Sequence, residues 1–177
     1  MLASSGWVSV SVSAEYGSVS AYSSTSVPVD RSQGQIRKLL NEAGASRLAF
    51  SEERGEDGQR WAMVGFVVGV HGVRLRVPLK AVDEREVMAK LRRARTRTAN
   101  EIRDDLYEQE ERRIWRVLAW NLKARMVAVE EQVETFEEAF LAHLLDPRTG
   151  TTVYEQLAET GRAELERPLL QLTAAES

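Results

Sequence analysis

Between Ile114 and Leu145 the apolar side chains return every three or four residues, at Trp115, Leu118, Leu122, Met126, Val129, Val133, Phe136, Phe140 and Leu144. That spacing follows the 3.6-residue period of an α-helix and gathers them into one stripe. Arg116, Lys123, Arg125, Glu130, Glu131 and Glu137 mostly fall outside it. The segment therefore reads as the central packing element of a folded core, although it carries no chemistry of its own. Thr135 and Glu138 form a T-x-x-E pattern within it, which marks a break or kink near Glu134.

The preceding chain supplies what this helix packs against. Proline in Val27-Pro28-Val29 favours extended backbone, and Ser32 with Gln35 forms an S-x-x-Q capping box that opens a helix. Ile36, Leu39, Leu40 and Ala43 make its buried side, and Gly44 stops it. Three strands are expected next. Arg47–Ser51 is short, and the polar stretch Glu52–Gln59 turns the chain. Arg60–Val68 is apolar on both faces, which predicts a central strand covered on both sides. Gly69-Val70-His71-Gly72 reads as a hairpin loop. In Val73–Leu79, Val73, Leu75, Val77 and Leu79 alternate with Arg74, Arg76 and Pro78, and the proline predicts an edge position. Asp83 caps a second helix, expected from Glu84 to about Tyr107 and able to run on into the Trp115 segment. Asp146–Gly150 is a turn, followed by a short helix over Thr152–Glu159. The resulting order α-β-β-β-α-α predicts an α+β fold, with a small three-stranded antiparallel sheet packed against long C-terminal helices.

With 177 residues, the chain is long enough for one domain and an appended arm. Residues 1–26 are Ser-rich and read as a flexible N-terminal arm, because such sequence has little apolar area to bury. The Val-Ser alternation from Val8 to Ser13 would also suit an edge strand, and a start upstream of the true one is the third reading. The domain is expected over 27–160, with a weakly patterned tail over 161–177.

A net charge of −3 excludes a protein that binds nucleic acid through bulk basicity, and a local basic patch remains compatible with it. The absence of cysteine excludes disulfides, thiolate nucleophiles and Cys-ligated zinc. No apolar run is long enough to span a bilayer and the N-terminus lacks signal-peptide order, so the expectation is a cytoplasmic protein without membrane contact.

Three blocks carry a resemblance: AYSSTSVPVDRSQGQIRKLLNEAGA from Ala21, the short VRLRVPLK, and the long KLRRARTRTANEIRDDLYEQEERRIWRVLAWNLKARMVAVEEQVETFEEAFLAHL. Over Ala21–Tyr154 the chain resembles a family of small phage, prophage and bacterial proteins with no assigned activity. The resemblance implies an accessory protein of a mobile element in a bacterial cytoplasm, and it implies no catalytic residue. It also supports reading 1–20 as a variable extension.

The strongest candidate for function is the basic cluster Lys90, Arg92, Arg93, Arg95 and Arg97, with five cations in eight residues. Such a cluster can neutralise several phosphates. The alternative is a solvated helix face tied by pairs such as Arg97 with Glu101; the acids from Asp104 to Glu111 favour that alternative. Arg74 and Arg76 share one sheet face, with Lys80 near its end and either Trp61 or Phe66 beside them. Arginines next to an aromatic residue on an antiparallel sheet are the ingredients of a single-strand binding surface, although a helix-covered face with snorkelling arginines needs no ligand.

Trp115 and Trp120 lie about 140° apart on a helix, so Trp115 joins the core stripe and Trp120 faces a second layer or partner. A second apolar face of Ala119, Trp120 and Val127 would favour self-association. His71 and His143 read as a solvent-facing and a capping histidine. Glu52, Glu53, Glu56 and Asp57 read as a solvated turn, and the glycines from Gly65 to Gly72 lack the Lys-Ser/Thr of a phosphate loop. No catalytic group, metal site or cofactor is expected. The sequence thus points first to a non-enzymatic phage-type accessory protein binding single-stranded DNA or RNA through Arg74, Arg76, Lys90, Arg92, Arg93, Arg95 and Arg97. The alternative is a protein–protein adaptor or self-assembling component that uses the long helix and Trp120, with a protein partner or a second copy as its ligand.

Overall fold

A computed structural model describes residues 22–94 and 96–160. The readings of the Ser-rich stretch up to residue 21, of Arg95 and of the tail from 161 lie outside the described residues. The element order is α1 (Val29–Glu42), β1 (Ala45–Arg54), β2 (Arg60–Val68), β3 (His71–Leu79), α2 (Glu84–Arg93), α3 (Ala99–Glu130), α4 (Phe136–Phe140), a 3-10 turn (Leu141–His143) and α5 (Val153–Thr160). The fold is α+β, with a three-stranded antiparallel sheet ordered β1-β2-β3.

Several local features follow the sequence signals. Gly44 adopts φ +78 beyond the end of α1, and its N–H donates to the Asn41 carbonyl at 3.0 Å, a geometry that glycine adopts without a Cβ penalty. A two-residue turn joins β2 to β3, with Val68 paired to His71 and Gly69 at φ +58. Asp83 caps α2 by accepting the Arg85 N–H at 2.8 Å. Pro78 lies on β3, an edge strand.

The expected cap of α1 is corrected. The helix starts at Val29, with Pro28 as its N-cap and no side-chain cap. Ser32 is fully buried one turn inside. Extended backbone at Pro28 (φ −60, ψ 152) leaves its carbonyl free to accept the Ser32 N–H, so the helix begins earlier than a serine cap would place it.

The helix expected to run from Glu84 to Tyr107 is also corrected, because it stops at Arg93. A full capping box at Thr98 and Glu101 opens α3; it satisfies two orphan N–H groups and makes a fresh start favourable. The long segment therefore begins at Ala99 and extends for 32 residues, about 48 Å. It ends at Glu130, and a second capping box, Thr135 with Glu138, opens α4. Val133 consequently leaves the predicted stripe and is 74% exposed.

Among the described residues the β2 strand is fully covered on one side only. Ala62, Val64 and Phe66 are buried, whereas Trp61, Met63 and Val67 are half-buried. Strand pairing sets Leu48 and Phe50 of β1 and Val73, Leu75, Val77 and Leu79 of β3 on the buried side. This face packs against Ile36 and Leu40 of α1, Trp115, Leu118 and Leu122 of α3, and Phe140 of α4. The Trp115 ring meets Phe50 edge-on at 5.6 Å and Phe140 meets Phe66 likewise at 5.7 Å. The described residues therefore form two layers, and among them no helix covers the opposite face of the sheet along β1 and most of β2.

Candidate nucleic-acid interface

The register assigns the outer face of the sheet residue by residue. Directly paired residues point the same way, so Arg74 lies beside Gly65 and Ala49, and Arg76 beside Met63 and Ser51. Trp61, opposite Glu53 and Pro78, completes this corner, while Arg47 opposite Val67 stands at the other end. Trp61, rather than Phe66, is the aromatic residue that shares the face with the two arginines. The Arg76 guanidinium lies 4.1 Å from the Trp61 ring centroid, a stacked cation–π contact. Its Nε is 3.9 Å from Glu53, too long for a hydrogen bond. Arg47, Ala49, Ser51 and Glu53 are all exposed.

Arg74 is more constrained. After α4 the chain turns back along β3, where the Leu145 N–H donates to the Gly72 carbonyl at 2.8 Å. A reciprocal box follows, in which the Thr152 N–H donates to Glu155 and the Glu155 N–H donates to the Thr152 hydroxyl. This fixes Glu155 on α5, where it accepts from Arg74 at 2.5 Å. Burial alone would raise the Glu155 carboxyl, but the Thr152 N–H and the Arg74 charge outweigh it and hold it below the usual 4.5. A depressed carboxyl contributes stability above the unfolded value, lost as pH falls through the folded one. Acidification below about pH 4.5 is thus expected to loosen α5 from the sheet. Stability measured between pH 6 and pH 3 should fall less steeply in Glu155→Gln than in the wild type; identical slopes would remove this role.

The basic cluster divides. Lys90 pairs with Glu86 at 3.2 Å. Arg97 pairs with Asp105 at 2.6 Å and donates to the Glu101 carbonyl at 3.1 Å, so part of the cluster is the solvated, ion-paired helix face that the acids suggested. Arg92 and Arg93 are exposed and form no ion pair with any described residue. Since α2 packs on α3 and makes no comparable contact with the sheet, packing does not join the cluster to Arg74 and Arg76. Lys80 is exposed beyond the end of β3, its N–H donating to Glu110 at 3.0 Å.

Other candidates are engaged structurally. Glu52 pairs with Arg60, which also binds Glu111, and Asp57 accepts the Gln59 N–H within its turn. His71 sits in β3 rather than in a loop, with Nε2 2.9 Å from Glu137. His143 is half-buried; burial, then the nearby Arg125 charge, lowers it below its ordinary value. Among the described residues no three His, Asp or Glu side chains gather as a metal site, and no helix is long and apolar enough to cross a membrane. Trp120 is 46% exposed on the side of α3 away from the core. Ala119 is buried and does not belong to that outer surface.

Sequence reasoning missed Arg47 and Glu155. Arg47 was identifiable from the alternation of β1, but Glu155 lies 81 residues from Arg74 and no local pattern connects them. Comparison with family models, curated proteins and solved structures finds no match for the chain.

Proposed function

We propose that the protein is a non-enzymatic accessory factor of the phage and prophage kind that its sequence resembles, and that it binds single-stranded nucleic acid on the outer face of its sheet. The observation that carries this reading is the Arg76 guanidinium stacked on Trp61, on a sheet face that no helix among the described residues covers at β1 and most of β2. A flat aromatic surface accepts a base of any identity, and adjacent guanidiniums hold the backbone. Arg47 extends the positive charge along the same face, and Arg74 adds less because the Glu155 carboxylate holds it. Arg92 and Arg93 on α2 form a second, separate phosphate contact, while the pairing of Lys90 and Arg97 reduces their share.

A labelled single-stranded oligonucleotide should be retarded at low salt, with Kd rising steeply as salt is added because each neutralised phosphate releases counterions. Trp fluorescence should be quenched on binding, and Trp61→Phe should remove most of that quench. Absence of binding at about 50 mM salt, where phosphate contacts are strongest, would overturn the proposal.

A further inference from the structure

The side of α3 opposite the core presents a second surface that nucleic-acid binding does not use. Arg116, Trp120, Val127 and Glu131 recur at helical spacing, within about 40° of Trp120 around the axis. Trp120 and Val127 are 46% and 43% exposed, the two large apolar residues on an otherwise polar outer face. Further towards the N-terminus, the same side of the helix is occupied by the chain itself, since Gln109 donates to the carbonyls of Ser23 and Thr25. Tyr22 then reaches Trp120 with ring planes 13° apart and 6.5 Å between centroids. Beyond that point no other described residue covers the surface, where Trp120 and Val127 stay partly exposed.

Its charges are ordered. Arg116 precedes the apolar pair, its guanidinium 5.6 Å from the Trp120 ring, and Glu130 and Glu131 follow it. The arginines earlier on α3 are paired, Arg103 with Glu84, Arg112 with Glu108 and Arg113 with Glu110. By contrast Arg116, Glu130 and Glu131 enter no ion pair with any described residue; Arg116 donates only to the neutral Gln35 amide at 2.6 Å. A surface that runs cation, aromatic, aliphatic, anion is complementary to its own reverse.

We propose that this surface pairs α3 antiparallel with α3 of a second copy of the chain about a two-fold axis. The register that sets Trp120 over Val127 of the second copy also sets Arg116 opposite its Glu131, and the two-fold repeats both contacts. Lys123 lies about 60° from Trp120 around the axis, at the rim, with its amine 5.6 Å from the Trp120 ring centroid. From Arg116 to Glu131 the contact is about 22 Å long. That is small for a stable interface, so a reversible dimer with Kd of about 1–100 µM is expected.

Sedimentation velocity of the full chain over a micromolar concentration series tests the proposal. The wild type should shift from monomer to dimer as concentration rises. Trp120→Ala should weaken pairing at least about tenfold, since a central aromatic anchor is lost, with an unchanged thermal melt because the side chain is half exposed. Arg116→Glu and Glu131→Arg should each weaken it, and the double variant Arg116→Glu/Glu131→Arg should recover most of the loss. A monomer at every concentration would overturn the proposal, as would a dimer indifferent to Trp120→Ala or a charge swap without recovery.

Discussion

Trp115→Ala is expected to cost about 3–5 kcal/mol, the range for removing a fully buried aromatic side chain whose surroundings cannot collapse. Trp115 is 1% exposed and sits between the sheet and the other helices, edge-on to Phe50. Domains of this size are stable by about 5–15 kcal/mol, so the variant should lose a large fraction of its stability. Trp115→Phe should be far milder. The indole Nε1 is buried without a hydrogen-bond partner, so phenylalanine removes an unsatisfied donor together with the lost volume. Urea denaturation followed by circular dichroism measures both. A loss below about 1 kcal/mol for the alanine variant would mean that Trp115 is not at the centre of the core.

The double variant Trp61→Ala/Arg76→Ala is expected to weaken single-strand binding by about 100-fold, the largest effect on function. A stacked base contributes about 1–3 kcal/mol, and the guanidinium adds a phosphate contact. Arg92→Ala/Arg93→Ala should cost less, about tenfold, and should mainly reduce the salt slope, because those residues offer charge with no stacking surface. Glu155→Gln should act in the opposite direction, since it releases Arg74 from its carboxylate partner. Equal losses from the sheet and helix variants in titrations at fixed salt would place the interface on general positive charge rather than on Trp61.

Much of the fold was legible because its signals are local. The bounds of β2, the central position of that strand, the Asp83 cap and the break at Thr135 each follow from a few adjacent residues. The break before Thr98 has the same T-x-x-E signature as the one at Thr135, but the surrounding run of helix-favouring charges hid it. The single-sided burial of β2 was not legible. Its outer residues Trp61, Met63 and Val67 are as apolar as its inner ones, and only the tertiary arrangement shows that no helix among the described residues crosses them. The candidate site was legible in part. Period two put Arg74 and Arg76 on one face, and the register then chose Trp61 over Phe66. Glu155 depended on the return of the chain past β3, a contact that no window of sequence contains.

A fold of two layers has two outsides. The sheet and α3 are joined by the core between them, so their free surfaces face away from each other. Pairing through α3 would therefore carry two sheet faces outward and alter neither. A strand too short to engage two copies does not favour pairing, whereas one that spans both faces favours it by the same factor that pairing adds to its affinity. Two such faces on one strand gain from effective concentration alone, so that a modest single-site affinity becomes strong on a strand long enough to pass from one face to the other and stays modest on a short one.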